Sequence, residues 1–560
     1  MSEETCPREA WARELLYGFT FLVYPGQVYC MLKKISIPVL ILFCNISICL
    51  SQAAENNVDY ISLDSVSKNP NILRLICHVA MPWVVGNQVV ESLVYVDNNN
   101  SFIPCLATGW HIEDKYMDLE LRKNVFFHDG SPFNASSVEN NWKIYQKTAD
   151  PYFSIDLRKC IKNLKELSPY KIRIEFKENA FVGHILVYLR SFYIYSPSYF
   201  KFSNNTYPIG NQGNIIQPGN WGTGPYILKE SLKNNCIAVL KKNPNYWEKS
   251  YPKISEIVLY SPKIFNSIDA HQIMKQGGAD IFDAVNPSMS HIIARSPDIS
   301  LVMKYPLSYL AVLFNMIKPE GVLRDIRIRK ALNLSINRKI LFKYVAHETA
   351  RLTPFIFPLS GHDRKIKPYP YNPKLAKKLL NETGYNSNKK LIIKIAYFTS
   401  EKKLANAISL MLNEEGIDTV LQEYKTRMQL YKHFINSFHG SKNPVENETW
   451  DLIIVNIGFY SNSAVSHFGE SFTSDGCCRW ILPDPKADKL FFQAMQQKNL
   501  NEVNLHLEQM EEYLYDQYYA MPIYIGPSIF AVHKRIGKSS FSGSGYLLNL
   551  KKITWSKEIE

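Results

Sequence analysis

Hydrophobic positions follow two periods along the chain, and the clearest example lies in its C-terminal half. Leu391–Phe398 is a short apolar run rich in isoleucine, which predicts a buried strand. Residues 404 to 412 carry apolar side chains at helical spacing, and Gly416 follows where a left-handed residue commonly ends a helix. Residues 419 to 424 and 451 to 457 have the pattern of two further strands. This order predicts a βαβ series with parallel strands, which is typical of an α/β fold.

Strand and helix periods also alternate in the rest of the chain, without a repeat or a long linker. This alternation extends the α/β prediction to the whole chain. Three further segments are predicted: a short helix over residues 428 to 435, a long and mostly helical segment over residues 489 to 515 that stops at Pro522, and a strand-like tail over residues 523 to 555.

The N-terminal segment has the three parts of a secretory signal. Residues 31 to 34 include two lysines, residues 35 to 50 form an apolar run too short to span a bilayer, and Ser51-Gln52-Ala53 supplies small residues for cleavage after Ala53. Residues 1 to 30 lie upstream of such a signal, which indicates a start codon assigned too early. The alternative is that residues 35 to 50 form an uncleaved anchor.

Composition and charge narrow the class of protein. The chain has 560 residues, 46% of them apolar and 21% charged, which is typical of a folded protein with several domains. The net charge of +13 favours anionic partners, but it is spread along the chain and predicts no nucleic-acid-binding arm. Six cysteines follow the predicted cleavage site, and their disulfide pairing stays open: Cys77, Cys105, Cys160, Cys236, Cys477 and Cys478.

The sequence contains no motif of an assembled catalytic or metal centre. A G-x-S-x-G elbow, a phosphate-binding G-x-x-x-x-G-K and an H-E-x-x-H are all absent, and no histidine cluster lies near the paired Cys477-Cys478. His128-Asp129-Gly130 follows a predicted strand and is interpreted as a tight turn. The charges of Asp325, Arg327 and Arg329 are expected to cap and decorate a helix over residues 328 to 336. We therefore predict no catalytic residues, metal or cofactor.

Nine short motifs follow one another in an order that resembles a known family. The first runs from Trp110 to Val138 and includes the stretch from residue 119 to residue 135. The others, in chain order, are Gly222-Thr223-Gly224-Pro225-Tyr226, Asn243-Pro244-Asn245-Tyr246-Trp247, Gly278-Ala279-Asp280-Ile281, Phe314-Asn315, residues 325 to 333, residues 371 to 380, Trp450-Asp451-Leu452 and Met521-Pro522-Ile523-Tyr524. The chain thus resembles, from about residue 73 to 555, the family 5 extracytoplasmic solute-binding proteins, which are the oligopeptide, dipeptide and nickel receptors of ABC importers.

This resemblance implies an α/β, two-lobed periplasmic binding protein of type II (class C), with three domains around a ligand cleft. The protein would be an exported, periplasmic monomer that closes its lobes on a small solute, such as an oligopeptide, and delivers it to an inner-membrane ABC permease. The expected boundaries are residues 1–53 for the extension and signal peptide (31–53), residues 54–90, 215–310 and 515–560 for domain I, residues 91–214 for domain II and residues 311–514 for domain III.

The ligand-binding residues depart from those of the dipeptide receptors. Those receptors hold the ligand's amino group with an aspartate in the loop that here covers residues 456 to 465, which contains no carboxylate. They hold its carboxylate with an arginine near the position of residues 397 to 400, where this chain has none. A buried charge without a partner is costly, so we expect a larger, blocked or less charged solute. The predicted ligand-binding residues are Tyr460, Asn462, Ser463, Tyr397 and Trp221, with surface-loop or core packing as the alternative.

Two other functions remain open for this fold. One is an enzyme that uses residues scattered along the sequence, which turnover of a substrate would reveal. The other is the ligand-sensing part of a transcription regulator, which would need a DNA-binding segment where this chain has a predicted signal peptide. The transport receptor is the reading that the sequence favours.

Overall fold

The chain forms two units, Met1–Tyr60 and Ile61–Glu560, and all residues described by the computed structural model belong to the second. The predicted signal peptide and the predicted helix over residues 428 to 435 lie outside the described residues. The described residues are 69–77, 81–96, 102–148, 157–178, 185–208, 218–232, 237–261, 270–283, 285–318, 320–356, 366–425, 448–458, 468–469, 471–476, 479–497, 500–537 and 549–556.

Strands and helices alternate through this second unit. The strands are β1 (Ile72–Ile76), β2 (Glu91–Ser92), β3 (Val94–Val96), β4 (Phe102–Pro104), β5 (Ala107–Ile112), β6 (Tyr116–Leu121), β7 (Ile161–Ser168), β8 (Lys171–Phe176), β9 (Tyr193–Ile194), β10 (Tyr226–Leu232), β11 (Ile237–Lys242), β12 (Glu256–Tyr260), β13 (Ile281–Phe282), β14 (Ile299–Phe314), β15 (Arg351–Leu352), β16 (Leu391–Phe398), β17 (Ile417–Tyr424), β18 (Leu452–Gly458) and β19 (Ala520–His533). The helices are α1 (Met81–Val89), α2 (Ala135–Lys147), α3 (Leu157–Cys160), α4 (Ile185–Arg190), α5 (Pro197–Phe202), α6 (Ala270–Lys275), α7 (Ser290–Ile293), α8 (Ile326–Leu334), α9 (Arg338–Tyr344), α10 (Pro373–Glu382), α11 (Lys402–Glu414), α12 (Pro485–Met495) and α13 (Leu500–Asp516). The predicted α/β fold is confirmed.

One large mixed sheet runs through the described unit. Its strand order is β10-β11-β12-β1-β13-β19-β14-β18-β16-β17, and β15 pairs with β19 beside this path. A separate antiparallel sheet has the order β5-β6-β8-β7, and the pairs β2-β9 and β3-β4 complete the described strands. The long strands β14 and β19 pair with each other and occupy the middle of the large sheet.

The predicted βαβ series is present in the large sheet. Strand β16 pairs in parallel with β17 on one side and with β18 on the other. Helix α11 connects β16 to β17 and buries Leu404, Ile408 and Leu412. Gly416 ends this connection with a φ of +84°, a left-handed conformation that favours glycine.

The segment from residue 489 to 515 differs from its prediction in two respects. It contributes to two helices, α12 and α13, rather than one continuous helical segment. Pro522 does not stop a helix, because α13 ends at Asp516 and Pro522 lies inside β19. The register of β19 against β14 shifts between the pairs Leu310↔Tyr524 and Ala311↔Pro522. A proline without an amide hydrogen is tolerated at such an irregularity.

Two hydrophobic cores divide the described unit into two lobes. The first core includes Leu75 of β1, Trp142 of α2 and Leu259 of β12, and the second includes Ile395 of β16 and Leu412 of α11. Strands β14 and β19 contribute to both cores and connect them. This arrangement matches the expected two-lobed fold, and the domain boundaries given above remain predictions.

Candidate functional site

The ladder between β14 and β19 is interrupted between the two cores. Lys304 pairs with Ser528 and Ser308 pairs with Gly526, so three residues of β14 face a single residue of β19. Two of the four intervening residues are Pro306 and Pro527, which have no amide hydrogen for the ladder. The two connecting strands therefore lose regular pairing at the same level.

Strand β18 of the second lobe ends at this interruption. Gly458, the last residue of β18, pairs with Ser308 of β14. Strand β19 is buried on both sides of the interruption but only half-buried at Ile525 and Gly526. Because ligands of open α/β sheets bind beyond the carboxyl ends of the strands, the level of Ser308, Gly458 and Gly526 is the candidate functional site.

Three of the predicted ligand-binding residues lie just beyond this level in sequence. Tyr460, Asn462 and Ser463 belong to residues 459 to 467, which lie outside the described part of the chain. The described chain reaches Gly458 at the candidate site, two residues before Tyr460. Their role in ligand binding stays a prediction.

Tyr397 is packed within the second lobe. It is 5% exposed and its hydroxyl donates to Glu423 Oε2 of β17 at 3.4 Å. The Thr399 hydroxyl donates to Glu423 Oε1 at 2.7 Å, and this hydrogen bond lowers the pKa of Glu423. Burial raises the pKa of Tyr397, so it stays a neutral hydroxyl at physiological pH. In this conformation its polar end is directed to β17.

Trp221 is packed within the first lobe. Its ring is 7% exposed, lies 4.9 Å from the ring of Phe202 and 5.6 Å from that of Tyr199, and belongs to the first core. A Cβ atom on Gly219 would lie 2.0 Å from the indole, so the glycine makes room for it. Core packing accounts for this tryptophan in the described conformation.

Residues of two sequence motifs donate hydrogen bonds to Glu91, which belongs to neither motif. Glu91 is fully buried, and its carboxylate accepts hydrogen bonds from Thr223 Oγ1 at 2.9 Å, Tyr246 Oη at 2.8 Å and Trp247 Nε1 at 2.8 Å. Burial raises the pKa of Glu91, while these hydrogen bonds and the charge of Lys551 act in the opposite direction. The Gly-Thr-Gly and Asn-Pro-Asn-Tyr-Trp motifs therefore share a structural role inside the first lobe, around a carboxylate that sequence reasoning missed.

The glycines of the Gly-Thr-Gly motif allow two backbones to approach closely. A Cβ atom on Gly222 would lie 2.2 Å from the Val89 carbonyl oxygen, and one on Gly224 would lie 2.3 Å from that of Gln88. Any side chain there would force the backbone apart. This segment is a tightly packed bend against Gln88 and Val89, and not a phosphate cradle.

The His128-Asp129-Gly130 segment is the predicted turn, with a φ of +85° at Gly130. The Asp129 carboxylate accepts hydrogen bonds from the Ser131 hydroxyl at 2.5 Å and the Ser198 hydroxyl at 2.6 Å. His128 Nε2 lies 2.9 Å from the Gly224 carbonyl oxygen, to which it must donate. Burial lowers the pKa of His128 to about 4, so the imidazole is neutral at physiological pH.

The charges beside helix α8 have the predicted structural roles. The Asp325 carboxylate caps α8 by accepting from the Arg327 amide at 2.8 Å and also pairs with the Arg327 guanidinium. Arg329 is buried and donates to the Gln517 carbonyl oxygen at 2.9 Å. None of these three residues is at the candidate site.

No metal site is found among the described residues, where no group of three or more histidine, cysteine or carboxylate side chains is arranged to hold an ion. Cys77, Cys105 and Cys160 are buried thiols. The other three cysteines after the predicted cleavage site lie outside this part of the chain. None of the described helices combines the length and apolarity needed to span a bilayer.

Two solved structures share this fold. NikA from Brucella suis, in complex with Fe(III)-EDTA, superposes with a TM-score of 0.73 at 20% identity, covering 87% of this chain and 100% of that one. DppA from Helicobacter pylori, in complex with the peptide STSA, superposes with a TM-score of 0.69 at 19% identity, covering 87% of this chain and 98% of that one. These likenesses establish the fold as that of a two-lobed periplasmic binding protein.

The sequence itself identifies the family. Residues 101–476 match the bacterial extracellular solute-binding proteins, family 5, and the chain belongs to this family. The nickel-binding periplasmic protein of Escherichia coli (strain K12) is 26% identical over 360 residues, which cover 60% of this chain and 66% of that protein. The glutathione-binding protein GsiB of the same strain is 23% identical over 412 residues, covering 69% of this chain and 77% of GsiB.

Proposed function

We propose that this protein is the periplasmic receptor of an ABC importer, which captures a small solute by closing its two lobes and delivers it to the permease. The observation that carries the proposal is the joint interruption of β14 and β19 between the two cores, at Lys304–Ser308 on one strand and Gly526–Ser528 on the other. Two strands that lose pairing at one level act as a hinge when the bodies on either side are rigid.

Closure gives the receptor a signal that the permease can recognise. A solute that contacts both lobes binds the closed state more tightly than the open one and shifts the population toward closure. Gly458 pairs with Ser308 at the interruption, and the residues that follow it in sequence include Tyr460, Asn462 and Ser463, which we propose as contacts to the solute. The aromatic and hydroxyl groups of this loop suit a peptide-like solute held by apolar contact and a few oriented hydrogen bonds.

A calorimetric experiment tests these contacts. The solute released from protein purified from its natural host is identified by mass spectrometry and titrated into the wild type and into Tyr460→Ala and Asn462→Ala variants. Each variant is expected to bind at least about fivefold more weakly, since a lost hydrogen bond or aromatic contact is worth about 1 kcal/mol or more. Tyr344→Ala is the matched control, because Tyr344 is a 64% exposed tyrosine on α9. Unchanged affinity in both loop variants would reject this placement.

The same preparation separates the receptor from the enzymatic alternative. A receptor returns its solute chemically unchanged after prolonged incubation, whereas an enzyme with this fold converts it. Time-dependent conversion by the wild type would replace the transport proposal with catalysis. Failure to recover any solute, together with failure to bind peptide mixtures, would contradict solute capture itself.

A further inference from the structure

An exposed arginine lies beside the hinge. Arg351 begins β15 and pairs with Ile525 of β19. Ile525 and Gly526 are the half-buried residues of β19 at the ladder interruption. The Arg351 backbone is therefore fixed to the connecting strand at the level where the two cores separate.

The guanidinium of Arg351 is held in place by a tyrosine from the other connecting strand. Its central carbon lies 4.1 Å from the ring centroid of Tyr305, which belongs to the interrupted segment of β14. The Tyr305 hydroxyl donates to the carbonyl oxygen of Thr349. Since β19 lies between β14 and β15 in the sheet, the side chains of Tyr305 and Arg351 meet across β19.

The turn that receives Tyr305 is itself anchored in the second lobe. Thr349 is 6% exposed, and its hydroxyl donates to the Ala346 carbonyl oxygen at 2.7 Å. The ring of Tyr305 is thus fixed at its hydroxyl end, and the guanidinium carbon of Arg351 lies over this ring. A cation–π contact uses none of the N–H donors of an arginine, so they remain available for a planar partner.

Arg351 has no such partner in the described part of the chain, where its guanidinium forms a cation–π contact with Tyr305 and no hydrogen bond or ion pair. By contrast, Arg173 pairs with Asp118 at 2.7 Å and Arg535 pairs with Asp280 at 2.6 Å. A cation that is oriented, exposed and unpaired beside a ligand-binding level has the properties of a binding group for a planar anion.

We propose that Arg351 binds a carboxylate of the solute, so that the solute class is peptide-like molecules with a free carboxyl group. This inference rests on the proposed function and narrows it, since the sequence alone favoured a blocked or less charged solute. Tyr305 is a positioning residue in this scheme, because it orients the guanidinium without touching the solute. A charge-assisted hydrogen bond of this kind changes affinity by about tenfold to a hundredfold.

The test uses an enzymatic digest of casein as the probe, either with free carboxyl groups or after methyl esterification. The protein is incubated with each digest and separated by gel filtration, and the retained peptides are quantified by mass spectrometry. The wild type is expected to retain free-carboxyl peptides at least about tenfold better than their esters, and Arg351→Gln is expected to lose this preference. Arg351→Lys keeps the charge without the planar fork and should retain only part of it.

Arg295→Gln is the matched control. Arg295 is exposed and without a side-chain partner in the described residues, and it precedes β14 by four residues. Arg295 precedes Tyr305 by about 10 residues along the chain. The part of β14 that lies between them spans roughly 20 Å. The change in net charge equals that of Arg351→Gln, so a general electrostatic effect would appear in both variants.

Each result of this experiment has one meaning. Loss of the preference in Arg351→Gln alone, with a thermal melt like that of the wild type, supports the inference. Equal retention of both digests by the wild type, an unaltered preference in Arg351→Gln, or an equal loss in Arg295→Gln overturns it while the proposed function stands. Retention of neither digest by the wild type overturns the inference together with the peptide-like solute.

Discussion

The buried carboxylate of Glu91 gives the sharpest test of how the first lobe is held together. Three of its neutral donors come from residues 132, 155 and 156 positions away, so the carboxylate joins distant parts of the chain. Replacement by alanine leaves Thr223, Tyr246 and Trp247 without their acceptor in a dry environment. Each buried donor that loses its partner costs about 1 kcal/mol or more, so Glu91→Ala should lower the free energy of unfolding by about 3 kcal/mol or more.

A graded series of variants makes this prediction specific. Glu91→Gln keeps an oxygen that can accept from Thr223 and Trp247 and places an amide against the tyrosine hydroxyl, so its loss should be smaller than that of Glu91→Ala. Glu113→Gln is the control, because Glu113 lies on the surface and pairs only with the exposed His111, and it should change stability by less than about 0.5 kcal/mol.

Urea unfolding followed by tryptophan fluorescence measures all three variants under identical conditions. The expected order of destabilisation is Glu91→Ala, then Glu91→Gln, then Glu113→Gln. Ordinary surface substitutions change the free energy of unfolding by roughly ±0.5 kcal/mol. If Glu91→Ala changed it by no more than this, the hydrogen bonds to Glu91 would not stabilise the lobe as argued.

Two further predictions concern the same lobe. Because burial lowers the pKa of His128 from 6.5 to about 4, the stability gained by keeping it neutral is present above pH 6.5 and is lost as the pH falls toward 4. The free energy of unfolding should fall by about 2.5 kcal/mol between pH 7.5 and 4.5. In urea titrations, His128→Gln should remove this part of the pH dependence. An unchanged pH dependence in this variant would contradict the prediction. Gly224→Ala should cost about 2 kcal/mol or more, because the new Cβ would lie 2.3 Å from the Gln88 carbonyl oxygen, while Gly109→Ala, with nothing within 4 Å, is the control. Equal melting temperatures for the two alanine variants would refute the close approach.

The local sequence pattern was sufficient to predict the βαβ part of the second lobe. Strand β16 has the bounds Leu391–Phe398 that its apolar run predicts, and Gly416 ends the following helical connection. Period and capping are properties of neighbouring residues, so they can be read without knowing the fold. Pro522 was misread because its strand position depends on a register shift against β14, and that shift is a property of two segments distant in sequence.

The site residues were harder to predict for the same reason. Aromatic identity suggested Trp221 and Tyr397 as ligand contacts; both rings are buried in their lobes, which the sequence does not show, and their contact with a ligand stays a prediction. Glu91 and Arg351 carried no motif of their own, since their importance arises from partners such as Trp247 and Tyr305 that only the fold brings together. The loop with Tyr460 was chosen from its chemistry and its place after a strand, and its role remains a prediction.

The central claim is that the two lobes close on a solute about β14 and β19. Small-angle X-ray scattering of the protein with and without a saturating amount of its co-purified solute tests this claim most directly. Closure predicts a smaller radius of gyration in the saturated sample. Identical scattering curves, with calorimetry confirming full occupancy, would contradict the hinge and with it the proposed mechanism of capture.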